Sequence, residues 1–276
     1  MSAATGPSGE ATSARPVKPP PPAFARYGIV AFVLVTVVFA WDWEYGIGFS
    51  PIEVLTNLSP DNPVVQGLLD IDWSRLTSEN VQAGFLETFQ MAVLATIIGG
   101  LVAFPLALYN SVVGAPNKLV YVLVKNFNSI VRAVPDLIYA AFFVAAIGRS
   151  PLAGTIALAL LSIGVIAKLT SDTVDGIDHG PVEAARAAGA SHTQMVRTAV
   201  VPQVLANYAS FALYTFEINL RGSAVLAFVG AGGIGFYLQS YYGRGQYDRV
   251  WGVVLGFFLV VFVVDRISVA VRRRLL

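Results

Sequence analysis

The chain has 276 residues, a formal net charge of +1 and only 13% charged residues, about half the share usual in soluble proteins. With 55% hydrophobic residues and a mean hydropathy of +0.66, it lacks the charged shell that a soluble core of this size needs, and it reads as an integral membrane protein. The same figures exclude a disordered chain and nucleic-acid binding through net charge, while zero Cys excludes a disulfide scaffold, thiolate metal sites and a cysteine nucleophile.

Residues 1–26 are rich in Pro, Ser, Thr and Gly, with Pro19 to Pro22 in a row. Such a segment cannot bury enough apolar surface to offset its ordering entropy, so a disordered tail is expected. Arg15, Lys18 and Arg26 precede the first apolar run, Ala23 to Trp43. That run closes on Trp41, Asp42, Trp43, Glu44 and Tyr45, which suits an interfacial belt better than a signal-peptide cleavage site. Residues 27–45 are therefore read as an uncleaved anchor. Residues 46–81 are an acidic connecting segment, with Glu53, Asp61, Asp70, Asp72 and Glu79 against Arg75.

A membrane span needs about 20 largely apolar residues. Further candidates run from Glu87 to Tyr109, Ile130 to Gly148, Pro151 to Thr170, Val201 to Leu220 and Val250 to Ala270. None alternates like a barrel strand, so helices are expected. The expected fold is an all-α membrane protein of about six transmembrane helices. The basic tail, Lys118, Lys125, Lys168, Arg186, Arg197 and the terminal Arg272 to Arg274 put both ends in the cytoplasm under the positive-inside rule. Arg149, Arg244 and Arg249 then fall on the outer side, against the trend.

Between the fourth and fifth spans lies a polar stretch, Ser171 to Val200, too long for a simple connection. Val182, Ala185, Ala188, Gly189, Val196 and Ala199 recur at near-helical spacing. Acidic residues come early and Arg186 and Arg197 late, as a helix dipole prefers. A short amphipathic helix on the cytoplasmic face is expected, either solvated or covered by a partner.

Glu183-Ala184-Ala185, Gly189, Ala199 and Val201-Pro202 resemble the EAA loop of ABC importer permeases, here spanning 183–202. That family usually has Ile where Ala199 sits and Leu where Val201 sits. More of the chain is similar to the phosphonate and phosphite branch: Phe85-Leu86-Glu87-Thr88, Arg132-Ala133-Val134-Pro135-Asp136-Leu137, Ile163 to Lys168, Arg221 to Leu226, Val229 to Gly235, and Asp265-Arg266-Ile267-Ser268. Methionine permeases share the EAA loop and a similar glycine-rich segment. The resemblance covers residues 82–276, the expected permease core.

The resemblance implies a bacterial plasma-membrane permease subunit, multi-pass, that is not itself an enzyme and forms the translocation path for a small oxyanion, phosphonate or phosphite. Permeases for phosphate or methionine, and a secondary transporter, are the alternatives. The implied partners are a cytoplasmic ABC ATPase dimer, an extracytoplasmic solute-binding protein, a second permease subunit (the same chain or another) and lipid, with no nucleic acid. ATP and Mg would be bound by the ATPase, since the chain has no Walker A pattern. The EAA helix would be the coupling element. Glu183 would contact the ATPase or cap its own helix, Ala184, Ala185 and Gly189 would allow close approach, and Pro202 would turn the chain into the fifth span.

Gate or pore candidates are Gly230, Gly232, Gly233 and Gly235, together with Arg132, Pro135, Lys168, Glu217 and Arg221. The glycine run matches GxGxxG, but a dinucleotide site needs a preceding strand and a soluble unit. At membrane depth, glycine instead permits a backbone that bends and packs closely. Charges inside spans are costly unless paired, so Glu217 with Arg221 and Arg132 with Asp136, each one helical turn apart, are expected pairs. Both His179 and His192 sit in the polar loop and no HExxH occurs, which argues against an intramembrane enzyme.

Overall fold

The structure is a computed structural model that describes residues 23–40 and 50–275. The expected tail up to Pro22 and the aromatic belt from Trp41 to Tyr45 lie outside the described residues. No strand occurs among the described residues. The chain divides into two units at Ser59 and Pro60. The first holds α1 (Ala23–Ala40), apolar and exposed from Tyr27 onward, and α2 (Pro51–Asn57). The Ser50 side chain accepts the Glu53 N–H and Pro51 opens α2, two features that favour a helix start.

The second unit begins with α3 (Pro63–Leu69) and a 3₁₀ turn, Trp73–Thr77. It continues with α4 (Glu79–Tyr109), α5 (Lys118–Ala133), α6 (Asp136–Ile147) and α7 (Pro151–Asp175). Two short helices follow, α8 (Gly180–Ala187) and α9 (His192–Met195), then α10 (Val201–Leu226), α11 (Ile234–Gly243) and α12 (Tyr247–Leu275). Among the described residues, α4, α7 and α12 are each long and apolar enough to cross a membrane, and two bent pairs would raise the number of spans to 5.

The core is α7 packed on α4, with α10 against both. Small residues make this possible. Ala92, Ala95, Gly99 and Ala103 of α4 and Ala153, Ala157, Ala159 and Ala167 of α7 are buried. A Cβ on Gly99 would lie 2.3 Å from the Ser162 Cβ. Helices in lipid gain little from the hydrophobic effect, so their contact rests on close backbone approach and buried hydrogen bonds. Asn219 of α10 supplies the latter, its amide donating to Thr96 Oγ1 at 2.8 Å and Ser162 Oγ at 2.7 Å. α7 is the most buried of the three long helices and α12 the least.

The expected third span is not one straight helix. α5 and α6 meet at 83°. Val134 is extended (φ −89°, ψ 123°), as a residue before proline prefers, and Pro135 caps α6 without an N–H to continue α5. The Tyr139 hydroxyl spans the break, donating to the Val131 carbonyl at 3.0 Å.

Candidate functional site

The polar loop folds as two short helices rather than one. Val182 of α8 is buried with Val174, Met195, Val200 and Val204, and Ala185 is half-buried against the same cluster. Glu183, Ala184, Arg186, Ala187 and Ala188 are exposed. The apolar side therefore anchors α8, and a face of small residues remains open. Glu183 lies in the first turn, where its charge suits the helix dipole, but α8 has no side-chain cap. Glu183 does not cap its own helix.

Gly189 ends α8 with φ +76°, and a Cβ there would meet nothing within 4 Å. The Gly189 N–H bonds to the Arg186 carbonyl and the Ala190 N–H to the Ala185 carbonyl, the paired bonds of a Schellman ending. Within the chain, Gly189 serves backbone conformation and not close approach.

Pro202 does not turn the chain. Helical backbone runs from His192 through Val229, and the Val201 N–H reaches back to the Val196 carbonyl through a π-helical turn, Val196–Val200. This wider turn absorbs the ladder bond that proline cannot make. Three contacts tie the loop to the rest of the fold. His192 Nε2 meets the Gly114 carbonyl at 2.9 Å, the Asp175 carboxylate accepts the Val112 N–H at 2.7 Å, and Gln203 exchanges hydrogen bonds with the Asp178 backbone.

The glycine-rich run lies at the other end of α7, about 37 Å away at 1.5 Å per residue. It follows α10 and a 3₁₀ turn, Ala227–Val229, so the strand of a dinucleotide fold is missing. Gly230, Gly232 and Gly233 have φ of +89°, +82° and +78°. The run is pinned to the start of α4, where Glu87 Oε2 accepts the Gly233 N–H and Thr88 Oγ1 accepts the Ile234 N–H, both at 2.8 Å. A Cβ on Gly232 would fall 3.0 Å from the Pro151 ring, and one on Gly235 only 2.0 Å from the Ala224 carbonyl oxygen. A cleft of about 430 Å³ opens here, lined in part by Glu87, Arg149, Ser150, Gly230, Gly232 and Gln239.

The charged candidates do not converge. Buried Glu217 accepts from Arg272 of α12 at 2.7 Å, while Arg221 stands 4.0 Å from Glu217 and 3.3 Å from Asp265. The expected Glu217–Arg221 contact is thus the long arm of a network joining α10 to α12. Arg132 and Asp136 form no ion pair within 4.0 Å, because the bend at Pro135 separates them. The Arg132 stem instead packs over Gly164, whose Cβ would lie 2.7 Å from it. Lys168 pairs with Asp172 one turn on. Pro135 is exposed at the bend.

Residues 103–276 match the binding-protein-dependent transport system inner membrane component family. The chain belongs to this family. A phosphite transport system permease protein of Stutzerimonas stutzeri is 37% identical over 188 residues, 68% of each chain. A phosphate-import permease protein of Mycolicibacterium smegmatis is 34% identical over 251 residues, 90% of this chain. Our chain spans 44% of the length of that second relative. A chain of an inward-facing methionine ABC transporter is 25% identical with a TM-score of 0.62, covering 72% of this chain and 100% of that one. A chain of an amino acid ABC transporter, at 20% identity and TM-score 0.61, covers 74% and 99% and shows the same fold. The chain is therefore a membrane component of a transport system and not an enzyme.

In this inner membrane component, sequence reasoning missed Asn219, Arg272 as the partner of Glu217, and the contact of Arg149 with the glycine run. Asn219 lies between Glu217 and Arg221 in α10, whose charges drew the attention, although an uncharged amide within a span is itself a signal of helix–helix hydrogen bonding. Nothing in the sequence pairs Arg272 with Glu217, since they are 55 positions apart.

Proposed function

We propose that this chain is the pore-forming permease subunit of an ATP-driven importer for a small phosphorus oxyanion, phosphonate or phosphite. The observation that carries this reading is the face of α8. It is anchored by Val182, leaves Glu183, Ala184 and Ala188 open, and lies in a chain of the transport family. Small side chains cost little to bury and let a partner backbone come close. Glu183, Ala184 and Ala185 would form the contact with a cytoplasmic ATPase dimer, Gly189 would shape its edge, and Pro202 would lie behind it in the continuous helix that enters the membrane. The Lys and Arg distribution supports cytoplasmic N- and C-termini, with α8 inside and the glycine run outside. A second permease subunit and an extracytoplasmic binding protein complete the assembly. The tail (1–26), anchor (27–45), outer segment (46–81) and core (82–276) would be its parts. The named solutes of the S. stutzeri and M. smegmatis relatives support an oxyanion over methionine.

The test is affinity purification of the tagged chain from its native membrane in mild detergent, with mass spectrometry of the proteins recovered. An ATPase subunit is expected and should be lost in a Glu183→Ala/Gly189→Leu chain. Recovery without any ATPase, where a control ABC importer stays whole, overturns the reading. Uptake of phosphite and methylphosphonate by cells with and without the chain tests the solute.

A further inference from the structure

We propose that Arg149 and the glycine run form a transit site for a small tetrahedral oxyanion at the mouth of the cleft. The proposal rests on the transport reading above for its direction of use. The observation is a cation held in place without a partner. Arg75 and Arg249 both reach Asp72. Arg149 is exposed, lines the cleft of about 430 Å³, and has no ion-pair or hydrogen-bond partner among the described residues. Its stem lies across Gly230, where a Cβ would sit 2.8 Å from Cγ, 3.0 Å from Cδ and 3.2 Å from Nε. Any residue with a side chain would displace it, and φ of +89° at Gly230 already favours glycine. The glycine thus sets the guanidinium at the cleft, where its planar donor fork suits two oxygens of an oxyanion.

The other polar groups fit passage rather than storage. Glu87 faces the same cleft, with Oε2 engaged by the Gly233 N–H. One cation against one carboxylate leaves the cleft nearly neutral. Binding is then strong enough to admit an anion and weak enough to release it, as conduction requires. The cleft volume suits a small ligand. Arg149 also runs against the positive-inside trend, which would otherwise place arginine at the opposite face. A phospholipid headgroup offers the same chemistry, and we assign the site to the free anion.

The test exploits the absence of Cys from the chain. Gln239 is exposed and lines the cleft, so Gln239→Cys provides a single thiol reporter there. The full chain with its co-purifying subunits is placed in phosphatidylcholine nanodiscs, and labelling by a neutral maleimide is timed with phosphite, methylphosphonate or chloride. Phosphite and methylphosphonate should slow labelling and chloride should not. Adding Arg149→Gln should raise the protecting concentration about tenfold or more, and Arg149→Lys should restore part of it. No protection, or equal protection in Arg149→Gln, overturns the proposal. So does protection that appears only in phosphatidylglycerol nanodiscs and without added anion, since it assigns the arginine to lipid. In cells, Arg149→Gln at normal membrane abundance and with normal ATPase recovery should lower phosphite uptake about tenfold at limiting solute; unchanged uptake overturns the transit role. Protection in a wild-type chain that imports neither anion overturns the proposed solute and leaves the site standing.

Discussion

Gly189 beside α8 has open space around it, whereas Gly235 at the opposite end has no room for a methyl group. The same residue type answers two different demands. At the α8 end, glycine provides a positive φ that closes a short helix, and the small residues around it stay exposed. At the glycine-rich end, the glycines let α11 press on α10 and let the run lie against Pro151 and Thr88. One end rests on a buried cluster and leaves a face of α8 exposed. The other is packed within itself and tolerates little.

Gly235→Leu should have the largest effect. Its side chain would enter the space of the Ala224 carbonyl, and overpacking of this kind costs about 3 kcal/mol or more. The expected result is loss of folded chain in detergent melting. A Gly235→Leu chain that melts like wild type breaks the contrast. Glu217→Gln comes next, since it leaves Arg272 beside a group that no longer carries charge; removing one partner of a buried pair costs about 3 kcal/mol. Its melting temperature should fall, and replacing both partners by residues of similar volume should recover most of the loss.

Gly232→Leu meets the Pro151 ring and needs φ of +82°. It should insert and accumulate but block uptake, so a fully active chain counts against the gate reading. Gly189→Ala should cost only about 1 kcal/mol, the strain of a left-handed residue, with normal membrane abundance. Glu183→Ala should change melting by less than about 1 kcal/mol yet reduce ATPase recovery. A large melting shift there would mean that the α8 end is also structural.

The smallest effect concerns the turn before α4. The Ser74 hydroxyl, opposed by desolvation and helped by the Ser74 N–H and Arg75, holds the Asp72 carboxyl below its ordinary 3.8. A depressed folded pKa adds stability above the unfolded value and loses it as pH falls through the folded one. Wild type and Asp72→Asn should therefore differ in melting at neutral pH and converge as the pH drops below 3.8 toward the folded value. A gap that persists in acid assigns the difference to lost hydrogen bonds and not to charge.

Much of the fold was legible because lipid forces simple rules. Apolar runs had to be helices, so α4, α7 and α12 could be read from length and hydropathy. The helical loop was legible in part: its periodicity revealed helix, but Gly189 looked like a packing residue because φ cannot be read from identity. The bend at Pro135 had a signal in the proline, yet its 83° depends on what α5 and α6 pack against. Pro202 misled for the opposite reason, since a π turn absorbs a proline without redirecting the helix. Arg132 and Asp136 were paired by spacing, and spacing holds only along an unbroken helix.

The sequence by itself determined that the chain is a helical membrane protein, where most of its apolar helices fall, and that the polar loop before α10 is helical. Those follow from composition and periodicity, which act locally and survive any packing. Only the tertiary structure decided that Glu217 answers to Arg272, that Asn219 joins three helices, and that Arg149 lies across Gly230 with no ion-pair or hydrogen-bond partner among the described residues. Each of these joins residues far apart in the chain, and a charge or an amide takes whichever partner the packing of the helices brings within reach.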